Sequence, residues 1–368
     1  MVRLRRSDLT RPGISRGRRG EEWVFTAPDG RVITDPTTLE RCLGLVLPPA
    51  WQDVWISPAP NGHVQAVGTD ARGRRQYRYH DGWTARQAER KFDHSLEVAG
   101  RLPGVRERVA ADLALPGMPR ERALACAVRL LDLGFFRIGS EEYAESNGTF
   151  GLATIRREHV TVRGEADEGV VEFDYRAKSG KQRHQAVVDP AVLVCVRELL
   201  DRDDPGNPEL LAWTDETGAW VDMKSGDINS HLAHLVPDVT VTAKDFRTWS
   251  ATVLCAVGLA VSEGVADSAT ARKRAITRAV KETADYLGNT PTVCRASYIH
   301  PRLFDLYADG VTVAAELGAL GDTRPGDLGW QGGVEAAVLD MLRDPQAARR
   351  RAHPPARRSR AAAAPVAA

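Results

Sequence analysis

The chain has 368 residues, of which 43% are hydrophobic and 27% are charged, with 32 glycines and 21 prolines. These values are ordinary for a protein with a packed core, and they exclude collagen, a coiled coil or general disorder as the main architecture. No apolar run approaches the roughly 20 residues that a membrane helix needs, so we expect no membrane association. The formal net charge of +1 gives no support to nucleic-acid binding by itself.

Both ends of the chain are strongly basic. Residues 1–20 contain seven arginines and one aspartate, and residues 345–368 contain six arginines and no acidic residue. Residues 21–344 therefore carry a net charge of −11. Neither end shows apolar periodicity, which predicts a disordered basic start over 1–20 and a disordered Arg/Ala/Pro tail over 345–368. The start has no apolar segment after its arginines, so we expect no secretory signal and a cytoplasmic protein.

The cysteines and histidines do not indicate a metal site. Five widely spaced cysteines contain no Cys-x-x-Cys pair, which argues against a disulfide framework and a zinc ribbon. His231 and His234 are the one close histidine pair at helical spacing, and no carboxylate completes a plausible ligand set there. We predict no metal.

The pattern from Glu22 to about Tyr79 is that of β-strands. Short apolar stretches flank Asp29-Gly30 and again flank Pro60-Asn61-Gly62, and both are hairpin signals. This predicts a small antiparallel β domain over residues 21–82.

From residue 83 to residue 344 we predict a larger, mainly helical domain. Apolar residues between Leu124 and Phe135 recur at helical spacing and form one buried stripe. Three short β patterns then predict a three-stranded sheet, at His159 to Arg163, Val170 to Arg176 and Arg183 to Val188. The whole chain is therefore predicted to be an α+β protein.

Four segments of the helical domain carry residues capable of phosphate chemistry. Arg137 follows the predicted end of the first helix, and Lys178 lies at the tip of the hairpin that joins the second and third β patterns. Arg247 lies in a Lys-x-x-Arg sequence, Lys244-Asp245-Phe246-Arg247, at the start of a helix that the capping-box pattern Thr242-Ala243-Lys244-Asp245 predicts. Gly288-Asn289-Thr290 precedes a short segment that leads to Tyr298. Each of these residues alone is a common surface or core residue, so only their joint order is informative.

This ordered set resembles the catalytic signature of the DNA topoisomerase IB family, in particular its small, poxvirus-like branch found in bacteria. The similarity spans roughly positions 20 to 310. Three segments are similar to the β domain of that branch. They are Pro48-Pro49-Ala50-Trp51 with the residues that follow as far as Ile56, then Asn61-Gly62-His63-Val64-Gln65-Ala66, and finally the segment from Asp70 to Tyr79.

The resemblance implies that Tyr298 is the nucleophile and that Arg137, Lys178, Arg247 and Asn289 surround it. A phenol with a pKa near 10 is a poor nucleophile at neutral pH unless its proton leaves as it attacks. Two forked guanidiniums suit the charge that develops on a phosphodiester, and a lysine with a lowered pKa can protonate the departing 5′-oxygen.

The implied activity is relaxation of supercoiled DNA by transient single-strand cleavage through a 3′-phosphotyrosyl intermediate, followed by religation. The family likeness further implies a nucleoid-associated monomer that clamps double-stranded DNA and needs neither ATP nor a metal. It also implies DNA contacts by Gln76, Tyr77, Tyr79 and Tyr143, and it makes Lys244 a second cation of the site. The basic cluster of Arg72, Arg74 and Arg75, interleaved with tyrosines, favours DNA contact as well.

The chain departs from the family pattern at Asn289. The poxvirus and nuclear enzymes carry histidine in Gly-His-Thr, and asparagine can donate one neutral hydrogen bond but cannot carry a proton or a charge. We therefore predict that Asn289 is a hydrogen-bond donor in the transition state and that protons travel through Lys178.

Two alternatives remain on sequence grounds. A tyrosine recombinase or integrase shares the Arg, Lys, Arg and Tyr chemistry, but its second arginine usually follows His-x-x rather than Lys-x-x, and its N-terminal half is helical rather than β-rich. A non-catalytic DNA-binding protein is the other alternative, and the presence of all the proposed reactive residues argues against it.

Overall fold

The computed structural model describes residues 3–164, 169–263, 268–320 and 331–352. Packing divides the chain into two units that meet in sequence at Asp93 and His94. The boundary predicted between residues 82 and 83 stays a prediction.

The first unit contains a five-stranded antiparallel sheet with the strand order β2-β1-β3-β4-β5. Helix α1 begins after Asp35, whose side chain accepts a hydrogen bond from Thr38 N, and it places Cys42 in the core of this sheet. The predicted N-terminal antiparallel β domain is confirmed. The elements are β1 Ile14–Arg19, β2 Glu22–Thr26, α1 Pro36–Gly44, β3 Gln52–Ile56, β4 Val64–Thr69 and β5 Arg75–Tyr79.

The start of the chain differs from the prediction of disorder over residues 1–20. Strand β1 pairs with both β2 and β3, and Ile14 is buried in the sheet core. A strand with one buried apolar residue and three arginines gives little β signal of its own, and it is stabilised by pairing with the adjacent β2 and with the more distant β3. The second predicted hairpin, around residues 60–62, joins β3 and β4. The first, around Asp29-Gly30, closes only an isolated bridge between Thr26 and Val32.

The second unit is mainly helical, as predicted. Helix α4 lies at its centre, and nearly all of its apolar side chains are buried against α3, α6, α7 and α8. Helix α2, which starts in the first unit, continues into this one. The helices are α2 Asp81–Ala99, α3 Leu102–Leu113, α4 Arg120–Gly134, α5 Glu141–Asn147, α6 Pro190–Asp201, α7 Ser225–Leu235, α8 Ala243–Val261, α9 Ala269–Leu287, α10 Pro291–Ser297, α11 Arg302–Ala308, α12 Ala314–Leu320, α13 Gly333–Arg343 and α14 Pro345–Ala352.

The predicted three-stranded sheet is confirmed, and its strand order is β6-β7-β8. The capping box that opens α8 is confirmed too, because Thr242 N donates to Asp245 Oδ2 at 2.9 Å. A small two-stranded sheet was not expected from the sequence. The strands are β6 Val160–Arg163, β7 Val170–Arg176, β8 Gln182–Val187, β9 Ala212–Thr214 and β10 Trp220–Asp222.

The predicted disordered tail over residues 345–368 is helical where the structure describes it. Helix α14 ends at Ala352, and Arg349 pairs with Asp309 at 2.6 Å. Residues 353–368 lie outside the described part of the chain.

Two carboxyl groups face each other beside the two-stranded sheet. Glu209 Oε2 and Asp222 Oδ1 are both buried, and no N–H or hydroxyl donor among the residues that the structure describes bonds either oxygen. Burial, followed by sharing of a proton with Asp222, raises the pKa of Glu209 to about 7, and Lys224 opposes this only in part. The folded protein therefore holds a proton here that the unfolded chain releases near pH 4.5.

We expect Glu209→Gln to raise the melting temperature more at pH 8 than at pH 5. The stabilisation from the shared proton is complete below the unfolded pKa and is lost as the pH rises through about 7. The amide of glutamine keeps a donor toward Asp222 at every pH. Thermal unfolding of the parent and the variant between pH 5 and 8 measures the effect, with Glu216→Gln on the exposed β9–β10 turn as the control. A pH-independent difference would contradict the shared proton.

Candidate active site

Arg137 lies in a segment that the chain enters by an abrupt turn. Helix α4 ends at Gly134, and Phe135 then adopts a left-handed backbone conformation with a φ of 54°. Residues other than glycine rarely adopt it, so the surrounding packing must impose it. The backbone is fixed again at Arg137, whose carbonyl accepts a hydrogen bond from Leu152 N at 2.7 Å. The predicted presentation of Arg137 from a helix end is confirmed.

Arg247 lies in the first half of α8 and is almost completely buried, with 3% of its surface exposed. Its Nη1 donates to the carbonyl of Phe135, and its Nη2 donates to the carbonyl of Leu287 at 3.0 Å. Burial, followed by repulsion from Arg137, lowers the pKa of Arg247 to about 10. This value is still far above neutral pH, so the guanidinium remains charged.

Tyr298 follows α10 directly and is half-buried. The Cζ atom of Arg247 lies 5.4 Å from the centroid of the Tyr298 ring. The carbonyl of Tyr298 accepts a hydrogen bond from Thr252 Oγ1 at 3.2 Å, which ties the tyrosine backbone to α8. Helix α8 therefore holds both the buried arginine and the tyrosine.

Asn289 joins this cluster through Arg137. The Nη2 atom of Arg137 donates to Asn289 Oδ1 at 2.7 Å and to the carbonyl of Gly288 at 3.1 Å. Because a guanidinium only donates, the amide oxygen must face Arg137, and Nδ2 is the remaining donor. This Nδ2 is buried and has no hydrogen-bond partner among the described residues. Buried donors are almost always paired, so this amide is an unused donor beside the arginine cluster.

A third arginine, Arg183, was not predicted as a site residue. It lies on β8 beside the buried Tyr175 hydroxyl, and its Nη1 donates to the carbonyl of Asp285 at 3.2 Å while its Nη2 donates to the carbonyl of Tyr286 at 2.5 Å. One sequence signal could have indicated that Arg183 points inward. Strand alternation puts Arg183 on the same face of β8 as Val187, whose side chain is buried.

Within the part of the chain that the structure describes, no carboxylate forms an ion pair with Arg137, Arg183 or Arg247. Their hydrogen bonds go to backbone carbonyls, to the Asn289 amide oxygen and to the hydroxyls of Tyr175 and Tyr298. Charges withdrawn from water are normally paired, so the cluster is suited to bind an anion. The chemistry it supports is attack by the tyrosine on a bound anionic group.

Three predicted site residues lie outside this arginine cluster, namely Lys178, Lys244 and Tyr143. Lys178 is exposed at the β7–β8 hairpin tip, where the next residue, Ser179, is left-handed with a φ of 66°. Lys244 is exposed at the start of α8, and Tyr143 is 45% exposed on α5.

Comparison with known proteins identifies the family. The model of the eukaryotic DNA topoisomerase I catalytic core matches residues 81–314, which is more than half of the chain and includes Arg137, Arg247 and Tyr298. The chain belongs to the type IB DNA topoisomerase family. The model of the bacterial DNA topoisomerase IB N-terminal domain matches residues 22–70, within the five-stranded sheet unit. The protein is therefore an isomerase of the DNA topoisomerase IB class, as predicted.

Individual type IB topoisomerases are similar over much of the chain. The DNA topoisomerase 1B of Acanthamoeba polyphaga mimivirus is 27% identical over 300 residues, which cover 80% of this chain and 87% of the viral protein. The mitochondrial DNA topoisomerase I of Rattus norvegicus is 31% identical over 196 residues, covering 51% of this chain and 31% of the rat protein. The DNA topoisomerase I of Monkeypox virus is 20% identical over 243 residues, covering 66% of this chain and 72% of the viral protein.

Strand β5 in the bacterial-type N-terminal unit exposes an aromatic and basic face. Because successive side chains of a strand point to opposite faces, Arg75, Tyr77 and Tyr79 lie together on one face. The two tyrosine rings are stacked with centroids 6.0 Å apart, and Arg75 Cζ lies 5.7 Å from the Tyr77 ring. The rings and the guanidinium form a surface of the type that binds nucleic-acid backbones and bases.

The other predicted DNA contacts of this unit lie apart from that face. Gln76 is on the opposite side of β5, and its amide donates to Asp70 Oδ2 at 2.9 Å. Arg74 forms an ion pair with the same Asp70 at 2.8 Å, whereas Arg72 is exposed in the β4–β5 turn.

The described residues of this topoisomerase include no helix with both the length and the apolar character needed to cross a membrane.

Proposed function

We propose that this type IB topoisomerase relaxes supercoiled DNA by a reversible transesterification at Tyr298. The Tyr298 oxygen attacks the phosphorus of a DNA phosphodiester, a 3′-phosphotyrosyl bond forms, and the bond to the 5′-oxygen breaks. The freed 5′-hydroxyl strand rotates about the intact strand and then attacks the phosphotyrosine, which restores the original bond and releases Tyr298.

The arrangement of Arg247 beside the Tyr298 ring is the observation that carries the proposal. Arg247 is buried and held by two carbonyls, so its guanidinium is already in place before DNA binds. Arg137 is fixed by Asn289 and Gly288 next to it. Phosphoryl transfer depends mainly on positioning and on stabilising charge on the phosphate oxygens, and two immobilised guanidiniums supply both.

Proton transfer is assigned to Lys178. The phenol proton passes to solvent as Tyr298 attacks, and the departing 5′-oxygen takes a proton from the Lys178 ammonium. In religation the neutral Lys178 amine takes back the 5′-hydroxyl proton, and Tyr298 regains a proton from solvent. Exposure at a hairpin tip gives this side chain access to a bound DNA groove. Lys244 and Tyr143, both exposed on the same unit, are proposed as DNA contacts, as is the β5 face of Arg75, Tyr77 and Tyr79.

The reaction exchanges one phosphodiester for another of similar energy, so we propose that it needs neither ATP nor a metal ion. The driving force is the elastic strain of supercoiled DNA. We further propose that the protein acts as a monomer on double-stranded DNA and is found at the nucleoid.

Relaxation of a negatively supercoiled plasmid in EDTA and without nucleotide tests this function. We expect relaxed topoisomers, and denaturation during the reaction should trap DNA covalently bound to the protein through its 3′-phosphate. A requirement for a specific recombination site would instead indicate a tyrosine recombinase. Binding without any covalent adduct would indicate a non-catalytic DNA-binding protein.

Asn289→Ala and Asn289→Asp are each expected to slow single-turnover cleavage by about one to two orders of magnitude. The unpaired Nδ2 is proposed to donate to a phosphate oxygen, and loss of one such donor costs about 2 kcal/mol. The aspartate variant keeps an oxygen for Arg137 but removes the donor, which separates the donor role from the anchoring role. Rapid-quench cleavage at saturating DNA measures the rate, with Asn147→Asp on exposed α5 as the control. An Asn289→Ala variant as fast as the parent would contradict the role.

A further inference from the structure

The end of helix α9 holds all three arginines of the candidate active site. Four consecutive backbone carbonyls accept hydrogen bonds from these arginines. Arg183 donates to the carbonyls of residues 285 and 286, Arg247 to that of residue 287, and Arg137 to that of residue 288. Arg137 also bonds the side chain of Asn289, the next residue along the chain. Five consecutive residues at one helix end therefore determine where three guanidiniums lie.

A helix C-terminus is suited to this task. Its last carbonyls have no partner within the helix, and the helix dipole places partial negative charge there. Here Gly288 turns the chain with a φ of 65°. Its backbone N–H donates to the carbonyls of Ala284 and Asp285, and the N–H of Asn289 donates to the carbonyl of Ala284. The Asp285 carbonyl therefore accepts from both Gly288 and Arg183, whereas the carbonyls of residues 286–288 accept from the arginines. Any displacement of this turn therefore also displaces Asn289.

Arg183 differs from the other two arginines in where it lies. It is on strand β8 of the small sheet, whereas Arg247 lies on α8 and Arg137 follows α4. The Tyr175 hydroxyl packs against Arg183 and donates to Gln185 Oε1 at 3.0 Å. Burial, with repulsion from Arg137, lowers the pKa of Arg183, so the sheet holds a partly desolvated cation against the helix end.

The two hydrogen bonds of Arg183 need a forked side chain. Nη1 and Nη2 reach the carbonyls of Asp285 and Tyr286, which are adjacent in the chain. A lysine ammonium carries the same charge as a single point on a flexible stem and cannot reproduce this pair of contacts with the same rigidity. The arginine thus ties the last turn of α9 to β8.

We propose that Arg183 is a positioning residue for DNA strand cleavage. By bonding the last turn of α9, it fixes the Asn289 amide in the place where that amide meets the reacting phosphate. Arg183 itself contacts no substrate in this scheme. The inference rests on the proposed roles of Tyr298 and Asn289.

Single-turnover cleavage by Arg183→Lys and Arg183→Met tests the proposal. We expect both variants to slow cleavage about tenfold to a hundredfold at saturating DNA, because displacement of a catalytic group by about 1 Å costs up to two orders of magnitude. The dissociation constant for DNA should stay within threefold of the parent. Arg163→Lys is the matched control, since Arg163 is an exposed arginine of the same sheet that pairs with Glu172, and its rate should not change.

A double-variant cycle separates positioning from a general loss of structure. In an Asn289→Ala background, Arg183→Lys should slow cleavage less than threefold, because the group that it positions is already absent. Thermal unfolding of each variant sets an assay temperature at which it is folded, and Arg183→Lys carries the test if Arg183→Met does not fold. Three results would overturn the proposal. The first is that the rate losses of Arg183→Lys and Asn289→Ala add in the double variant, and the second is that Arg183→Lys cleaves at the parental rate. The third is that the variant binds DNA more weakly but cleaves at an unchanged rate when DNA is saturating.

The same experiment distinguishes failure of the positioning role from failure of the proposed function. If the parent forms no covalent adduct with DNA, the proposed function is wrong and the positioning role is wrong with it. If the parent forms the adduct and the Arg183 variants cleave at the parental rate, only the positioning role is wrong.

Discussion

Tyr298→Phe is expected to abolish covalent adduct formation and plasmid relaxation completely, while DNA binding stays within about threefold of the parent. The substitution removes only the oxygen that is proposed to bond to phosphorus, and the proposed mechanism has no second nucleophile. The ring keeps its contact with Arg247, so the local packing is preserved. Gel-based relaxation, trapping of the adduct on denaturation and a fluorescence binding titration measure the three quantities.

Tyr307→Phe is the matched control for that experiment. Tyr307 lies on α11 and is buried, and its hydroxyl has no hydrogen-bond partner within the described residues. Loss of this hydroxyl should leave both cleavage and stability almost unchanged. Residual adduct in Tyr298→Phe, at a level comparable with the control, would show that another residue is the nucleophile.

Arg247→Lys is expected to slow single-turnover cleavage by about two to three orders of magnitude, which corresponds to about 3 kcal/mol of transition-state stabilisation. Lysine keeps the positive charge, but its three donors share one nitrogen, so it cannot reproduce the separate Nη1 and Nη2 contacts with the carbonyls of Phe135 and Leu287. The loss should appear in the rate at saturating DNA rather than in the dissociation constant. Rapid-quench cleavage with excess protein measures it.

Arg202→Lys separates this catalytic effect from the cost of disturbing a buried arginine. The Arg202 side chain is also fully buried and donates to the backbone carbonyls of Leu199 and Leu210, but it lies outside the proposed site. Its replacement should lower the melting temperature and leave the cleavage rate of the folded protein unchanged. Equal rate losses in the two lysine variants would mean that Arg247 has only a structural role.

The asparagine at position 289 is compatible with this scheme because Arg137 occupies its oxygen. A histidine there could donate a hydrogen bond and also carry a proton, whereas the amide can only donate. Nδ2 is buried and unpaired among the residues that the structure describes, so the position retains a donor. Because the asparagine amide cannot carry a proton, proton transfer is proposed for Lys178 instead.

Local signals in the sequence were sufficient for many elements of the fold. The hairpin tip at Lys178, the turn at Pro60-Asn61-Gly62 and the capping box before α8 depend on residues within a few positions of one another. Such features follow from backbone preferences and short-range hydrogen bonds, so they can be recognised without the rest of the chain. Strand β1 could not, because its arginine-rich residues carry little β signal of their own, and its pairing with β3 joins segments far apart in the sequence.

The sequence by itself determined the order of the reactive side chains, the α+β class and the family resemblance, because these depend on residue types and spacing along the chain. Only the tertiary structure decided that Arg247 is buried, that Phe135 is left-handed, and that Arg183 rather than Lys178 joins the arginine cluster. The reason is that the carbonyls at the end of α9 meet arginines from three separate segments, and contacts over 40 to 151 residues leave no local pattern in the sequence.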